Sequence, residues 1–183
     1  MNQARLETTE QTTEFFDVVR RRRSIRAFAR RQVEKEKLQR ILEAANAAPS
    51  AGNLQAYEIY AVLNDRRRLT LALAARDQLF VASAPVALVF CAHPALSVER
   101  YGKRAERLYS LQDATIACTS AMLAATAQGL ATVWVGAFDD DEVRRILGAP
   151  RGIMPVAILP VGYAAEKPKA PERRSLDDLV HWL

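Results

Sequence analysis

Cysteine and histidine are scarce in this chain of 183 residues, with two of each. Cys91 and Cys118 stand alone in apolar surroundings, and His93 and His181 are isolated, so no group has metal-ligand spacing and no metal site is expected. The cysteines read as small buried hydrophobes in a reducing compartment, and a cytoplasmic location is the expectation. No stretch approaches the ~20 uninterrupted apolar residues of a transmembrane helix. Met1 to Gln11 is polar with mixed charges. It reads as neither signal peptide nor membrane anchor, and a loosely ordered lead-in is expected over residues 1–12. A Rossmann glycine fingerprint and a P-loop are both missing.

What the chain does have is apolar content and positive charge. Half of its residues are hydrophobic, enough for one core, and a chain this long buries roughly 70% of its unfolded surface. A single domain spanning 1–183 is the natural division. The net charge of +5 and a pI near 9.5 suit nucleic acid or an anionic cofactor equally. Apart from the run at Arg20, the dense basic stretch is Arg66-Arg67-Arg68. It lacks the interleaved aromatics that stack on bases, which argues against a nucleic-acid partner.

The run that organises the chain is Arg20-Arg21-Arg22-Arg23-Ser24-Ile25-Arg26-Ala27-Phe28. On a continuing helix the arginines would fan around the axis and could share no ligand. If the chain becomes extended near Arg22, residues two apart point the same way, and Arg22, Ser24 and Arg26 converge. Two guanidiniums with a hydroxyl between them suit a phosphate. Ile25 and Phe28 read as apolar pins to the core. Arg20 and Arg21 read as charges favourable at a helix C-terminus, and a solvated helix end is the plainer account of the run as a whole.

A first helix is expected from Thr12 or Thr13, and a second from about Glu34 to Ala47, with Leu38, Ile41, Leu42 and Ala45 on one face. Pro49 stops it. The loop Pro49-Ser50-Ala51-Gly52-Asn53-Leu54-Gln55 follows, rich in small residues and amide side chains. Small residues let a backbone approach a flat ligand, and Asn53 and Gln55 carry the donors and acceptors that a flavin's pyrimidine edge needs. An ordinary helix-to-strand turn reads the same way. Strands are expected at Tyr57–Leu63, at Pro85–Cys91 (apolar throughout, hence buried on both faces), at Ala131–Val135 and at Pro155–Tyr163. A short helix is expected over Arg66–Ala75, and His93 to Lys103 reads as an irregular excursion, either a lid or a plain surface loop. A long helix from about Arg104 to Gln128, apolar on more than one side, is expected at the centre of the subunit or at a dimer interface. Gly129 ends it. Asp139 and Glu142 have the spacing of a helix cap and its third-position acid, which explains the nearby aspartates without a metal. A Lys/Ala/Pro-rich linker over 164–171 leads to a terminal helix from Leu176 to His181. Four strands among about six helices make a mixed α and β domain.

In this order the motifs resemble the nitroreductase family of FMN-dependent oxidoreductases, over nearly the whole chain from about Phe15 to Trp182. They are Arg22-Arg23-Ser24-Ile25-Arg26-Ala27-Phe28, Ala48-Pro49-Ser50-Ala51-Gly52-Asn53-Leu54-Gln55, Leu108-Tyr109-Ser110-Leu111-Gln112-Asp113-Ala114, Trp134-Val135-Gly136-Ala137-Phe138, Pro155-Val156-Ala157 and Arg173-Arg174-Ser175-Leu176. Each is weak alone; the ordered set is specific.

The resemblance implies an α+β sandwich around a mainly antiparallel sheet of about four to five strands, flanked by helices, in a homodimer. One FMN would lie at each interface, touched by both chains, and residues 164–183 would extend towards the partner. Arg22, Ser24 and Arg26 would bind its phosphate with Arg23 close by, and Arg173 or Arg174 would return to it. Ser50, Asn53 and Gln55 would approach the ring, and Val135 and Gly136 would offer backbone groups near its reactive nitrogen. The implied activity is ping-pong reduction of nitroaromatics, quinones or a related small acceptor by NADH or NADPH, with the chemistry on the flavin and no catalytic side chain. Its rivals are a flavin-modifying or heterocycle-oxidising member of the superfamily, and a non-catalytic flavin- or nucleic-acid-binding protein. Two positions depart from the family's habit. Ala56-Tyr57 stands where members commonly carry Pro-Trp, and Val135 stands where longer members place Glu before the glycine.

Overall fold

The computed structural model describes residues 15–183. The lead-in expected over 1–12 and the helix start at Thr12 or Thr13 lie outside the described residues. Residues 15–21 are helical (α1). The Arg22 amide still donates to the Val18 carbonyl at 3.0 Å, and beyond it the chain is extended. The arginine run therefore leaves the helix at the residue where its alternation begins.

α2 (Lys35–Asn46) buries Ile41 and Ala45 on the face that its spacing predicts. A 3-10 turn (Ala51–Asn53) leads into β1 (Tyr57–Val62). α3 (Asp65–Ala74) is opened by Asn64, whose side chain accepts from the Arg67 amide at 3.0 Å. α4 (Phe80–Ser83), β2 (Val86–Ala92), α5 (Ala95–Tyr101), a π-helical turn (Ala105–Tyr109) and α6 (Ser110–Ala127) follow. β3 (Ala131–Thr132), α7 (Asp140–Leu147) and β4 (Met154–Gly162) complete the regular elements.

The strands form one sheet in the order β1-β2-β4-β3, with every pair antiparallel. Together with the helices on its faces this is the expected α+β architecture. β2 is buried along its whole length, and its alternation splits two cores. Leu88, Phe90 and Ala92 pack with Ile41 of α2 and with α6, while Ala87, Val89 and Cys91 pack with Leu71, Val81 and Val143 on the other face. Cys91 and Cys118 thus lie on opposite faces; burial pushes the Cys91 thiol up to about 12 and the Cys118 thiol up as well.

α6 faces the sheet through small residues: Ala114, Ala117, Cys118, Ala121 and Ala125 are buried. Its larger apolar residues lie off that face, with Leu111 40% exposed and Ile116 38%. Gly129 (φ +73) ends the helix, its amide bonding to Thr126 and that of Leu130 to Ala125, the paired bonds of a Schellman motif. The Asp139 carboxylate accepts from the Glu142 amide at 2.8 Å, so helix capping accounts for that acid.

Three expectations give way and one is refined. The excursion at 93–103 holds a helix, because Pro94 and Gly102 bound α5 rather than break it: proline pre-sets its start, and Gly102 (φ +61) ends it. The helix expected from about Arg104 is there, but its stretch Ala105–Tyr109 is the π-helical turn, which takes up an extra residue ahead of α6. The strand expected through Val135 is regular only at Ala131–Thr132, with an isolated bridge between Val135 and Ile158. The terminal helix is a single turn in which the Leu179 and Val180 amides reach the Leu176 carbonyl. Residues 164–183 are exposed throughout, and so short a helix is marginal in water.

Candidate functional site

The arginine run lies along the β3 edge of the sheet. Ser24 bridges Thr132 in parallel, the Ile25 amide donates to the Thr132 carbonyl at 3.0 Å, and Phe28 bridges Ala164. The segment after β4 closes over it: the Ala165 amide donates to the Ala27 carbonyl at 2.8 Å, and the Glu166 carboxylate accepts from the Arg26 and Ala27 amides. Buried Ile25 and Phe28 are the pins that the sequence suggests.

On the outer side, a cavity of about 620 Å³ is lined by Arg22, Arg23, Ser24, Arg26, Met122, Trp134, Lys169 and Arg173, with Pro168 and Pro171. It gathers cations from the run and from the C-terminal segment, and among the described residues no ion pair involves any of them. Burial lowers the Arg22 pKa, and the nearby charges of Arg173 and Arg23 lower it further. Arg23 also donates to the Arg20 and Arg22 carbonyls at 2.6 and 2.7 Å, and so caps α1. Arg21 pairs with Asp17 at 2.7 Å. Arg174 turns away from the cavity and donates to the Asp178 carbonyl at 2.7 Å.

Val135 and Gly136 adjoin this cavity through Trp134. The Val135 amide and carbonyl are both engaged with Ile158, at 3.0 and 2.9 Å. Gly136 is exposed, and a Cβ there would meet the Trp134 ring nitrogen at 3.1 Å, so its backbone is the more open of the two.

Ser50, Asn53 and Gln55 are elsewhere. Their loop precedes β1, at the opposite edge of the sheet. With strands about 4.8 Å apart, the two edges stand roughly 15–20 Å from one another. A second cavity, of about 570 Å³, is lined there by Pro49, Ser50, Ala51, Tyr109, Asp113 and Ile116 among others, and shares no lining residue with the first. In the loop Gly52, Asn53 and Gln55 have left-handed backbones, with φ of +58, +57 and +44. The Ser50 hydroxyl accepts from the Gln55 amide at 3.0 Å and from its side chain at 3.1 Å, and the Gln55 side chain also donates to Asn53 Oδ1 at 2.7 Å. Asp113, 2% exposed, accepts from the Ala51 amide at 2.9 Å and from the Ala56 amide at 3.3 Å.

One chain therefore brings together Arg22, Arg23, Ser24, Arg26, Arg173 and, through Trp134, Val135 and Gly136. It keeps Ser50, Asn53 and Gln55 apart from them. Sequence reasoning did not single out Lys169, Trp134, Asp113 or Glu166. Trp134 and Asp113 stood inside segments already recognised as motifs, whereas nothing local marks Lys169 or Glu166 within a solvated linker.

The model of the nitroreductase family matches residues 19–83 and 67–163. An NADH dehydrogenase of Thermus thermophilus is 32% identical, covering 88% of this chain and 92% of its own. An NAD(P)H-dependent FMN reductase of Bacillus subtilis is 31% identical over 82% of this chain and 67% of its own. The solved structure of the NADPH:FMN oxidoreductase from Vibrio harveyi, complexed with NAD+, superposes with a TM-score of 0.85 at 26% identity, covering 92% of this chain and 76% of that one. The α+β fold is that of the nitroreductase-type structure on which the chain superposes. The chain belongs to the nitroreductase family.

Proposed function

We propose that this protein is an FMN-dependent oxidoreductase that takes reducing equivalents from NADH or NADPH. The observation that carries the reading is the cavity of Arg22, Arg23, Arg26, Lys169 and Arg173 around Ser24, without a carboxylate partner among the described residues. Cations crowded together at partly buried positions repel one another unless an anion joins them. A phosphate monoester, with a charge near −2 and three acceptor oxygens, is suited to several guanidinium forks and a hydroxyl. The donor set thus fits FMN through its phosphate. FMN, when bound, supplies the two-electron chemistry.

The chain's own part is to bind, orient and shield. Arg22, Arg26 and Arg173 hold the phosphate, the exposed Gly136 backbone stands next to Trp134 for the ring, and Asn53 offers amide donors. No side chain has to serve as nucleophile or general base, and a nicotinamide donor and a small acceptor then use one site in turn. Nitroaromatics, quinones and related planar acceptors are the substrate class, with ping-pong kinetics.

Two copies of the chain complete the site. The phosphate cluster and the Asn53 loop stand at opposite edges of one sheet, so a single ligand meets both when a second copy supplies one of them. Phe15 and Phe16 of α1, Leu111 and Ile116 of α6, and Leu176, Leu179 and Trp182 of the C-terminal segment are exposed apolar residues for that contact. None of the described helices is long and apolar enough to cross a membrane; a cytoplasmic homodimer is the reading we adopt.

The test is colour and turnover. The purified protein should take up FMN and turn yellow, and a colourless protein that takes up no FMN overturns the reading. Arg22→Ala with Arg26→Ala should abolish uptake, and retention of flavin by that variant refutes the phosphate assignment. With NAD(P)H and a nitroaromatic or quinone both varied, parallel double-reciprocal lines are expected, and intersecting lines exclude a ping-pong order. Flavin retained without NAD(P)H turnover would point to a flavin-modifying or heterocycle-oxidising enzyme.

A further inference from the structure

Gly52 and Asn53 take left-handed backbone readily, but Gln55 (φ +44) is a residue type that seldom does, and such a conformation persists where its surroundings over-determine it. The determinants are on α6. Asp113 is buried, and its two carboxylate oxygens take the amides of Ala51 and Ala56, one from each side of the left-handed residues. Inside that bracket the Ser50 hydroxyl and the Gln55 side chain are occupied with each other, and Gln55 also engages Asn53 Oδ1. The Asn53 side-chain NH2 is the loop's amide donor that makes no hydrogen bond within the loop. The Ala56 amide exists only because this chain departs from the family's usual proline, which has no N–H. A proline at 56 would also push Gln55 towards extended backbone and away from its φ of +44.

We propose that Asp113 is the positioning residue of this site: by holding the Ala51 and Ala56 amides it shapes the loop so that Asn53, rather than Ser50 or Gln55, is presented to the bound flavin. The proposal rests on the flavin reading above. Asp113 acts through the loop, by its bonds to the Ala51 and Ala56 amides. Ser50 and Gln55 serve the same shape from inside.

The experiment uses the full chain, with two readouts. In the unmodified protein without flavin, the Ala51 and Ala56 amides should be protected from hydrogen exchange although they lie in a loop; fast exchange at both overturns the proposal, whatever the flavin affinity. FMN dissociation constants are then compared for the unmodified protein, Asp113→Asn, Ala56→Pro, Asn53→Ala and the pairwise combinations. Asp113→Asn and Ala56→Pro should each weaken FMN by about tenfold, and either one combined with Asn53→Ala should be no worse than Asn53→Ala alone, within about twofold. Multiplying effects would make Asp113 and Asn53 independent and sink the idea, as would a Ser50→Ala or Gln55→Ala variant whose effect multiplies with that of Asn53→Ala. If Asp113→Asn does not fold, Ala56→Pro carries the same cycle, and unchanged FMN affinity in it is a refutation. Should the unmodified protein bind no FMN while the two amides are protected, the flavin reading fails and the loop assignment stands.

Discussion

The Arg173 guanidinium, on the extended segment after β4, stands close enough to Arg22 to lower the Arg22 pKa, second only to burial. Both line the cationic cavity, whereas neighbouring Arg174 is spent on the Asp178 carbonyl. The two residues of the Arg173-Arg174 pair therefore differ in their surroundings, and the cationic cavity is assembled from the two ends of the described chain.

Arg173→Ala should consequently weaken FMN by about tenfold or more, since hydrogen bonds to charged groups contribute about 1.5–3 kcal/mol. Arg174→Ala should change it by less than about twofold. Riboflavin, which lacks the phosphate, is the control: its affinity should be the same in both variants and the unmodified protein. Fluorescence titration of the flavins measures all six values, and equal losses in the two variants would remove the distinction.

Glu166 fixes the backbone at Arg26, on the wall of the cationic cavity, by accepting from the Arg26 and Ala27 amides. Glu166→Gln keeps an acceptor there and should bind FMN within about twofold of the unmodified protein, whereas Glu166→Ala should weaken it by about tenfold, comparable with losing charge-assisted bonds. Equal effects in the Gln and Ala variants would show that the carboxylate acts by charge and not by holding these amides.

How much of this was legible in the sequence follows from the range of the forces involved. β2 was legible because a seven-residue apolar run after Pro85, too short for a buried helix, suits a strand covered on both faces, and α7 was legible because Asp139 and Glu142 carry their cap in four residues. The extended course of Arg22 to Phe28 was legible only as a condition: alternation says which side chains an extended chain would bring together, not that the helix ends at Arg22. The buried face of α6 was not: periodicity cannot say whether a helix approaches its sheet through leucines or alanines, and here close packing selected Ala114, Ala117 and Ala121. Nor could sequence show that the Asn53 loop and the arginines fall on opposite sheet edges, because strand order is decided by long-range pairing. The bonds from Asp113 to the loop and from Glu166 to the run span great lengths of chain and leave no local pattern.

Gly52 meets two constraints at once. Its φ is +58, and a Cβ there would come within 2.3 Å of the Tyr101 hydroxyl and 2.9 Å of an Arg100 side-chain nitrogen. Gly129, at φ +73, has open space around the same position. Gly129→Ala should cost about 1 kcal/mol for left-handed backbone alone, and Gly52→Ala about 2 kcal/mol because the ends of the Tyr101 and Arg100 side chains must also move aside. Adding Tyr101→Ala should recover part of the Gly52→Ala loss and none of the Gly129→Ala loss. Urea unfolding of the four variants measures this, and equal costs at the two glycines would show that these side chains yield freely.

Glu34 ties α2 to the end of β4. It accepts from the Tyr163 hydroxyl at 2.6 Å and from Arg31 at 2.7 Å, while Lys37 donates to the same Tyr163 oxygen at 3.0 Å. The Tyr163 hydrogen bond, then Glu34's own backbone amide, then Arg31, lower the Glu34 carboxyl from the ordinary 4.5 to about 2. A carboxyl that is the stronger acid in the folded state binds its proton later than in the unfolded chain. Its stabilisation is therefore fully present above about pH 4.5 and is lost as pH falls towards about 2. The melting temperature of the unmodified protein should exceed that of Glu34→Gln by a constant margin from about pH 5 to pH 7, and the margin should close as pH falls below about 4. Because the carboxylate is half exposed, that margin should also shrink at high salt. A margin that is flat down to about pH 2 would mean that the Tyr163 bond is as strong to the neutral acid as to the carboxylate.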